Sequence, residues 1–305
     1  MTTPMLRAIK GAMPGASVHV CVERSSAPAV RHNPYADEVV IVEPGAYLSL
    51  LRRLRRARYD VVLDTIGTPA TARLAFFSSA PVRIGRARRW RTALYTHALP
   101  PEPRPTYSAA SKLALLEPLG IRSDDCRIEL FPTEEECRDA DRSWASLALP
   151  DAARVVAFSP VSRRPKKVWP AERFAEVCDR WAERSSLRYL PVCAPGEEAQ
   201  VERVISALRR RDAVIRPGPR LTFGALVPLM RRCAFYFGND NGARHAAVAA
   251  GIPTAAVFGP DDPAYWTPPA APRHVHAGGR RPIDSVAVSE ADAMIARVLA
   301  ESGLG

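Results

Sequence analysis

Residues 235–253 read FYFGNDNGARHAAVAAGIP, and this stretch decides the fold. An apolar run enters a polar turn that contains glycine, and an alanine-rich segment follows. Gly251 ends that segment, and Pro253 prevents it from continuing as a helix. The order predicts a buried strand, a turn and a helix, which is the unit that builds parallel sheets covered by helices.

Strand-like and helix-like segments alternate along almost the whole chain of 305 residues, a length that suffices for two domains. A polar helix and the tripeptide at 149–151 mark the join. We predict an α/β protein of two Rossmann-like parallel-sheet domains, 1–150 and 151–305, that face a cleft. The C-terminal helix is expected to pack back toward the first domain. Residues 213–215 are predicted as a strand and 267–272 as a loop.

The composition is that of a soluble globular protein, with 47% hydrophobic and 25% charged residues. No apolar run is long enough to span a membrane, and the N-terminus has no apolar core of a secretory signal. The sequence therefore predicts a cytoplasmic location. Six scattered cysteines without a C-x-x-C pair argue against a zinc site or a disulfide framework.

The net charge is +11, and nearly all of the positive charge comes from arginine. Such clusters are either solvated faces or a surface for a polyanion: nucleic acid, anionic lipid head groups or a phosphorylated sugar. Charge alone does not choose among these. The two clusters are Arg52, Arg53, Arg55, Arg56 and Arg58, then Arg83, Arg86, Arg88, Arg89 and Arg91.

The turn within 235–253 is suited to binding a phosphate. Its glycine, Gly242, lets a phosphate approach the backbone, and the free N–H groups of the helix start then point at it. Asp240 follows the strand, where it can cap the helix or accept hydrogen bonds from sugar hydroxyls. His245 lies in the first helical turn, within reach of the same phosphate. The alternative is an ordinary helix cap with a buried histidine; the spacing favours a binding site.

Two other strand ends carry polar groups. The loop after Phe158 presents Ser162 and Lys167, and a lysine there is a point charge suited to a diphosphate leaving group. The alternative for this segment is a solvated basic loop. Glu197 also follows a strand and opens a helix. It can hydrogen-bond ribose hydroxyls or merely complement the helix dipole.

Together these stretches resemble glycosyltransferase family 9, the ADP-heptose:lipopolysaccharide heptosyltransferases. The N-terminal half matches more loosely than the C-terminal half. The C-terminal matches are Lys167–Pro170 after the Ser162 loop, Asp240–His245 and Phe258–Pro263, and the N-terminal ones are Asn33–Val39, Tyr59–Asp64 and Arg83–Gly85.

The resemblance implies a GT-B fold and transfer of heptose, or a related sugar, from ADP-heptose to the anionic lipopolysaccharide inner core. It also implies inversion at the anomeric carbon without a metal ion or other cofactor. Lys167 and the helix start would supply the charge stabilisation that a metal would otherwise provide. Peripheral contact with the anionic inner face of the membrane is expected, and no binding of nucleic acid.

Site residues follow from the same resemblance by position. Phosphates would be bound by side chains and backbone amides, the sugar by Asp240, ribose by Glu197 and the base by Leu221 and Thr222. Asn241 stands where the family usually has Thr or Ser, but that contact is largely through backbone. The predicted donor-binding residues are Ser162, Lys167, Glu197, Leu221, Thr222, Asp240, Asn241, Gly242 and His245, and the acceptor-binding residues are Asp64 and Arg83.

The N-terminus departs from the family's pattern. In the family an apolar strand and a Gly-Asp loop precede the helix that Met1–Lys10 matches here. The aspartate expected to remove the acceptor's proton would then lie upstream of Met1, and the first domain would lack its first strand. Losing such a base would cost about 10²–10⁴-fold in rate. Asp64, at the end of a strand, is the substitute base that the sequence offers.

Two other functions remain open. A sugar-nucleotide epimerase of the same fold would need acid and base groups near the sugar ring, and only Asp240 and His245 are obvious here. A non-enzymatic polyanion-binding protein would account for the charge, but the aromatic residues lie mostly at core positions and are not interleaved with the basic runs.

Overall fold

The protein is described by a computed structural model that covers residues 1–103, 105–150, 153–216, 221–269, 271–301 and 303. Its contacts divide the chain into two compact units, Met1–Phe131 and Pro132–Gly305. Each unit contains parallel strands and helices, so the predicted α/β class is confirmed. No helix of the described residues has the length and apolar character that crossing a membrane requires.

The first unit has five short strands in two parallel ladders, β1-β2 and β3-β4-β5. Its helix α1 has a proline, Pro4, in the first turn, where the backbone N–H has no intrahelical partner in any case. Its elements are α1 (Thr3–Ala12), β1 (His19–Glu23), β2 (Glu38–Val42), α2 (Tyr47–Ala57), β3 (Val61–Leu63), α3 (Pro69–Phe77), β4 (Val82–Arg86), β5 (His97–Leu99) and α4 (Ser108–Leu113).

One apolar cluster joins the two ladders of the first unit. Leu6 and Ile9 of α1 pack in it with Ile84 of β4, and Val20 of β1 and Val61 of β3 contact its edge. Apolar residues three apart on a helix lie on the same face, so α1 covers this cluster with one side.

The second unit contains one five-stranded parallel sheet in the order β10-β9-β8-β6-β7. Its strands are apolar almost throughout because helices cover both faces. Its elements are α5 (Glu134–Ser146), β6 (Arg154–Ser159), α6 (Ala171–Ser185), β7 (Leu187–Pro191), α7 (Glu198–Ala207), α8 (Phe223–Met230), β8 (Phe235–Asn239), α9 (Gly242–Ala250), β9 (Thr254–Phe258), α10 (Pro263–Trp266), β10 (His274–Gly278) and α11 (Val288–Glu301).

Aromatic rings form the centre of this second core. Phe158 of β6 and Phe237 of β8 contact Phe174 of α6 with ring centroids 5.6 and 5.4 Å from it. Trp169 is fully buried, its ring meets Phe174 edge-on, and its indole N–H donates to the carbonyl of Val286 at 3.0 Å. The loop that follows β6 is therefore fixed to the core immediately after Lys167.

The units divide nearer the N-terminus than the predicted boundary at residue 150. Helix α5 begins with the capping box expected from Thr133 and Glu136, and it packs on α8 of the second unit. Residues 132–150 therefore go with the second unit. Helix α11 packs on β10 and α6, and its predicted packing toward the first unit stays a prediction.

Two strands of the structure were not predicted, and one predicted strand does not form. Strands His97–Leu99 and His274–Gly278 have few β-branched residues and were not expected, yet both pair at the edge of a sheet, where composition is less restricted. Residues 213–215 are not a strand: Arg211–Ala213 forms a 3₁₀ turn, and only a single bridge links Val214 to Tyr189.

Candidate active site

The predicted phosphate-binding residues lie on two loops that the sheet brings together. Strands β6 and β8 are neighbours, and Ser159 pairs with Gly238 at their carboxyl ends. A Cβ on Gly238 would lie 2.1 Å from the carbonyl oxygen of Ser159, so this approach requires glycine. The loop that carries Ser162 and the turn that begins α9 consequently lie side by side.

Asn241 holds these two segments together. Its amide nitrogen donates to Ser159 Oγ at 3.0 Å and to the carbonyl of Val161 at 2.9 Å. Its Oδ1 accepts from the backbone N–H of Arg244 at 3.2 Å, which caps α9. The residue that caps α9 is therefore Asn241, and not Asp240, for which this role was one of the two predicted. The reason is that α9 begins at Gly242, one residue later than a cap at Asp240 requires.

Lys167 lies between two carboxylates. Its Nζ is 2.8 Å from Asp240 Oδ2 and 2.5 Å from Asp261 Oδ2, and its side chain is only 11% exposed. The ammonium also lies 5.8 Å from the centre of the Trp266 ring. Lys167 and Asp240, which were both predicted to bind the donor, thus form an ion pair. Asp261 also pairs with Lys167, and no role was predicted for it.

Arg244 is the second cation of this cluster, and it is completely buried. Its guanidinium lies 3.4 Å from Asp240 Oδ1 and donates to the carbonyl of Trp266 at 3.0 Å and to Thr267 Oγ1 at 2.8 Å. Arg244 is not among the residues that the sequence predicts for the site. Asp240 lies before α9, so its spacing from Arg244 is not a pairing along one helix face that the sequence could have indicated.

His245 is neutral in this environment. Burial, with a further contribution from the charge of Arg244, lowers its pKa well below the usual value. Its ring centre lies 5.6 Å from that of Trp266. Within the described ranges its buried Nδ1 has no hydrogen-bond partner. A neutral imidazole here can offer a hydrogen bond to a ligand but no charge.

The backbone of Ser162 is hydrogen-bonded to helix α7, and the side chain of Glu197 is hydrogen-bonded within its own loop. The backbone N–H of Ser162 donates to Gln200 Oε1 at 3.1 Å, and Gln200 Nε2 donates back to the carbonyl of Ser162 at 3.3 Å. Glu197 Oε2 accepts from the backbone N–H of Ala194 at 2.9 Å. Gln200 thus ties α7 to the loop after β6, a role that no sequence pattern indicated.

Leu221 and Thr222 lie at the start of α8. The hydroxyl of Thr222 accepts from the backbone N–H of Ala225 at 3.2 Å and donates to Glu136 Oε1 of α5 at 3.0 Å. Thr222 therefore caps α8 and joins it to α5. Its contact with a nucleotide base stays a prediction, as does that of Leu221.

The predicted acceptor residues lie in the first unit and make structural hydrogen bonds. Asp64 Oδ1 accepts from the backbone amides of Ile66 and Gly67 at 3.0 and 2.8 Å, and Oδ2 accepts from the hydroxyl of Tyr95 at 2.7 Å. Burial and the bond to Asp64 raise the pKa of Tyr95, which stays protonated as the donor. The guanidinium of Arg83 donates to the carbonyls of Leu94 and Ala80 at 3.1 and 2.6 Å.

The acidic side chains near the site have cationic partners. Asp261 pairs with Lys167, and Asp262 pairs with Arg280 at 2.5 Å. In the part of the chain that the structure describes, no group of three or more His, Cys, Asp and Glu side chains is placed to hold a metal ion.

Comparison with known proteins identifies the family. The model of glycosyltransferase family 9 (heptosyltransferase) matches residues 47–288. Lipopolysaccharide heptosyltransferase 1 of Pseudomonas aeruginosa is 24% identical over 290 residues, which cover 87% of this chain and 76% of that protein.

Two solved structures show the same fold. The glycosyltransferase family 9 protein of Veillonella parvula has a TM-score of 0.79 at 22% identity, over 99% of this chain and 92% of that one. E. coli heptosyltransferase WaaC with ADP has a TM-score of 0.72 at 19% identity, over 99% and 94% of the two chains. The predicted GT-B fold class and glycosyltransferase activity are confirmed. The chain belongs to glycosyltransferase family 9, the heptosyltransferases of lipopolysaccharide biosynthesis.

Proposed function

We propose that this chain transfers heptose, or a related sugar, from ADP-heptose to the lipopolysaccharide inner core, with inversion at the anomeric carbon and without a metal ion. The observation that carries the proposal is the position of Lys167 beside the turn that begins α9. Family membership and the resemblance to heptosyltransferases, one of them solved with ADP, support it.

The donor diphosphate is proposed to bind at the start of α9. The first amides of a helix have no intrahelical partner and carry a partial positive charge. The space around Gly242 is open, since a Cβ there would meet no atom within 4 Å. The ammonium of Lys167 has three N–H donors, and two acidic residues face it. One donor can therefore bind a phosphate oxygen while the other two stay bonded to Asp240 and Asp261.

Charge that develops on the departing ADP is proposed to be stabilised by Lys167 and the helix start, with a hydrogen bond from neutral His245. Asp240 is held at both oxygens by cations, which fixes its orientation toward the sugar hydroxyls that we expect it to bind. Ser162, Glu197, Leu221, Thr222 and the amides of Asn241 and Gly242 stay the proposed contacts to the remainder of the donor.

Metal independence gives a direct prediction. Because a lysine and a helix start supply the positive charge, transfer should proceed at an unchanged rate when EDTA is added. The measurement is ADP release from ADP-heptose with a heptose-free lipopolysaccharide core as acceptor. A rate that EDTA abolishes and that added Mg²⁺ or Mn²⁺ restores would contradict the prediction.

The same assay separates transfer from epimerisation. A transferase gives ADP and a heptosylated acceptor, and the anomeric configuration of the new bond, read by NMR, tests inversion. With the acceptor left out, the sugar of the donor should stay unaltered. An epimerase would instead convert the donor sugar in the absence of acceptor.

For the acceptor we propose contacts from the loops around Asp64 and Arg83 in the first unit. Both oxygens of Asp64 already accept hydrogen bonds. We therefore propose that it orders the Gly67 turn and does not remove the acceptor's proton. Since the acceptor is part of a lipopolysaccharide, we also propose that the protein contacts an anionic membrane surface peripherally.

A further inference from the structure

The exposed large apolar side chains are concentrated in the first unit. Single exposed apolar residues are ordinary on protein surfaces, but several in one region mark an interaction surface. Within the described ranges every such residue lies before position 95, and they are Met13, Tyr47, Leu48, Ile66, Phe76, Phe77 and Trp90.

Two of these side chains lie beside arginines, and a third packs on one of the two. The rings of Phe76 and Phe77, at the end of α3, meet edge to face with centroids 5.2 Å apart. The guanidinium of Arg83 lies 5.7 Å from the centre of the Phe76 ring, and that of Arg73 lies 5.6 Å from the Trp90 ring. We call Arg73, Phe76, Phe77, Arg83 and Trp90 the aromatic–arginine surface.

The region around this surface is strongly cationic. Residues 47–95 contain eleven arginines, no lysine and two aspartates, which gives +9 of the chain's net +11. One of the aspartates, Asp64, is buried and bonded to Tyr95, and Glu38, which lies outside this range, pairs with Arg53. An anionic partner is therefore strongly favoured.

The apolar groups distinguish among anionic partners. Single-stranded nucleic acids bind to aromatic faces on which bases stack, and the perpendicular rings of Phe76 and Phe77 form no such platform. Leu48 and Ile66, both 65% exposed, have no π-face at all. Aromatic and aliphatic side chains with arginines around them are typical of segments that enter the head-group region of a bilayer.

We propose that the aromatic–arginine surface docks on an anionic lipid bilayer, with Phe76, Phe77 and Trp90 in the head-group region and the arginines on lipid phosphates. This inference rests on the proposed peripheral contact with a membrane and is independent of the donor chemistry. Electrostatic attraction and apolar insertion act together here, so both anionic lipid and the phenylalanines are needed.

The test is sedimentation of the full chain with vesicles of phosphatidylcholine alone and of phosphatidylcholine with phosphatidylglycerol at three to one. Wild-type protein should sediment with the anionic vesicles only. Phe76→Ser combined with Phe77→Ser should weaken binding by roughly tenfold or more. Arg73→Gln should weaken it by roughly fivefold. Arg203→Gln, an equal loss of charge on α7 of the second unit, is the matched control.

The outcomes are separable. If the wild-type protein does not sediment with anionic vesicles, the proposed membrane contact itself is wrong. If the double variant sediments like the wild type, or Arg203→Gln weakens binding as much as Arg73→Gln, the contact stands and this surface is not its site. Tight binding of single-stranded DNA that excludes vesicles would identify a nucleic-acid surface instead and overturn the inference. Urea unfolding of the double variant with the slope of the wild type shows that both units are folded.

Discussion

Replacing Lys167 by alanine is expected to lower kcat/KM for sugar transfer by about 10²–10³-fold, the usual cost of removing one donor that stabilises a developing negative charge. The side chain is mostly buried and held in place by Asp240 and Asp261. The amides at the start of α9 remain in the variant, which is why some activity should survive.

The adjacent lysine provides the control. Lys166 is exposed, and Lys166→Ala removes the same charge one residue away. Its steady-state kinetics should match those of the wild type. Equal losses in the two variants would mean that the general basicity of the loop matters and that no specific contact is made by Lys167.

Replacing Asp240 by asparagine should lower the free energy of unfolding by about 3–5 kcal/mol, because the substitution removes one charge of a buried ion pair. Arg244 is completely buried, and its guanidinium lies 3.4 Å from Asp240 Oδ1. Asparagine has nearly the same shape, so the loss would come from charge and not from a cavity. Urea unfolding with unchanged slope measures it.

Asp261→Asn is the matched comparison. Asp261 is 25% exposed and pairs only with Lys167 among the cations described here, and Lys167 keeps Asp240 in this variant. Asp261→Asn should lower the free energy of unfolding by less than about 1 kcal/mol. If the free energy of unfolding falls by the same small amount in both variants, the buried Asp240–Arg244 pair does not stabilise the fold as proposed.

The second sheet and its loops could largely be predicted from the sequence. Strands buried on both faces are nearly continuous apolar runs, and the glycine that ends α9 takes the left-handed conformation expected of it, with φ 84°. Polar residues directly after such strands meet at one edge of a parallel sheet. Lys167 and Asp240 were both predicted to bind the donor, and they lie together in the structure.

The partners of those residues could not be predicted in the same way. Arg244 is buried through contacts with Trp266 and Thr267, which follow it by more than twenty positions, and no local pattern predicts such contacts. An arginine in a short helix is usually exposed. Asp261 likewise meets Lys167 only because β6 and β9 lie on either side of β8 in the sheet.

A crystal structure of the full chain with ADP would show whether the turn before α9 binds the donor diphosphate. We predict diphosphate oxygens about 3 Å from Lys167 Nζ and from the backbone nitrogen of Gly242, in hydrogen-bond geometry. ADP bound elsewhere in the chain, or a turn between β8 and α9 that stays empty at saturating ADP, would contradict it.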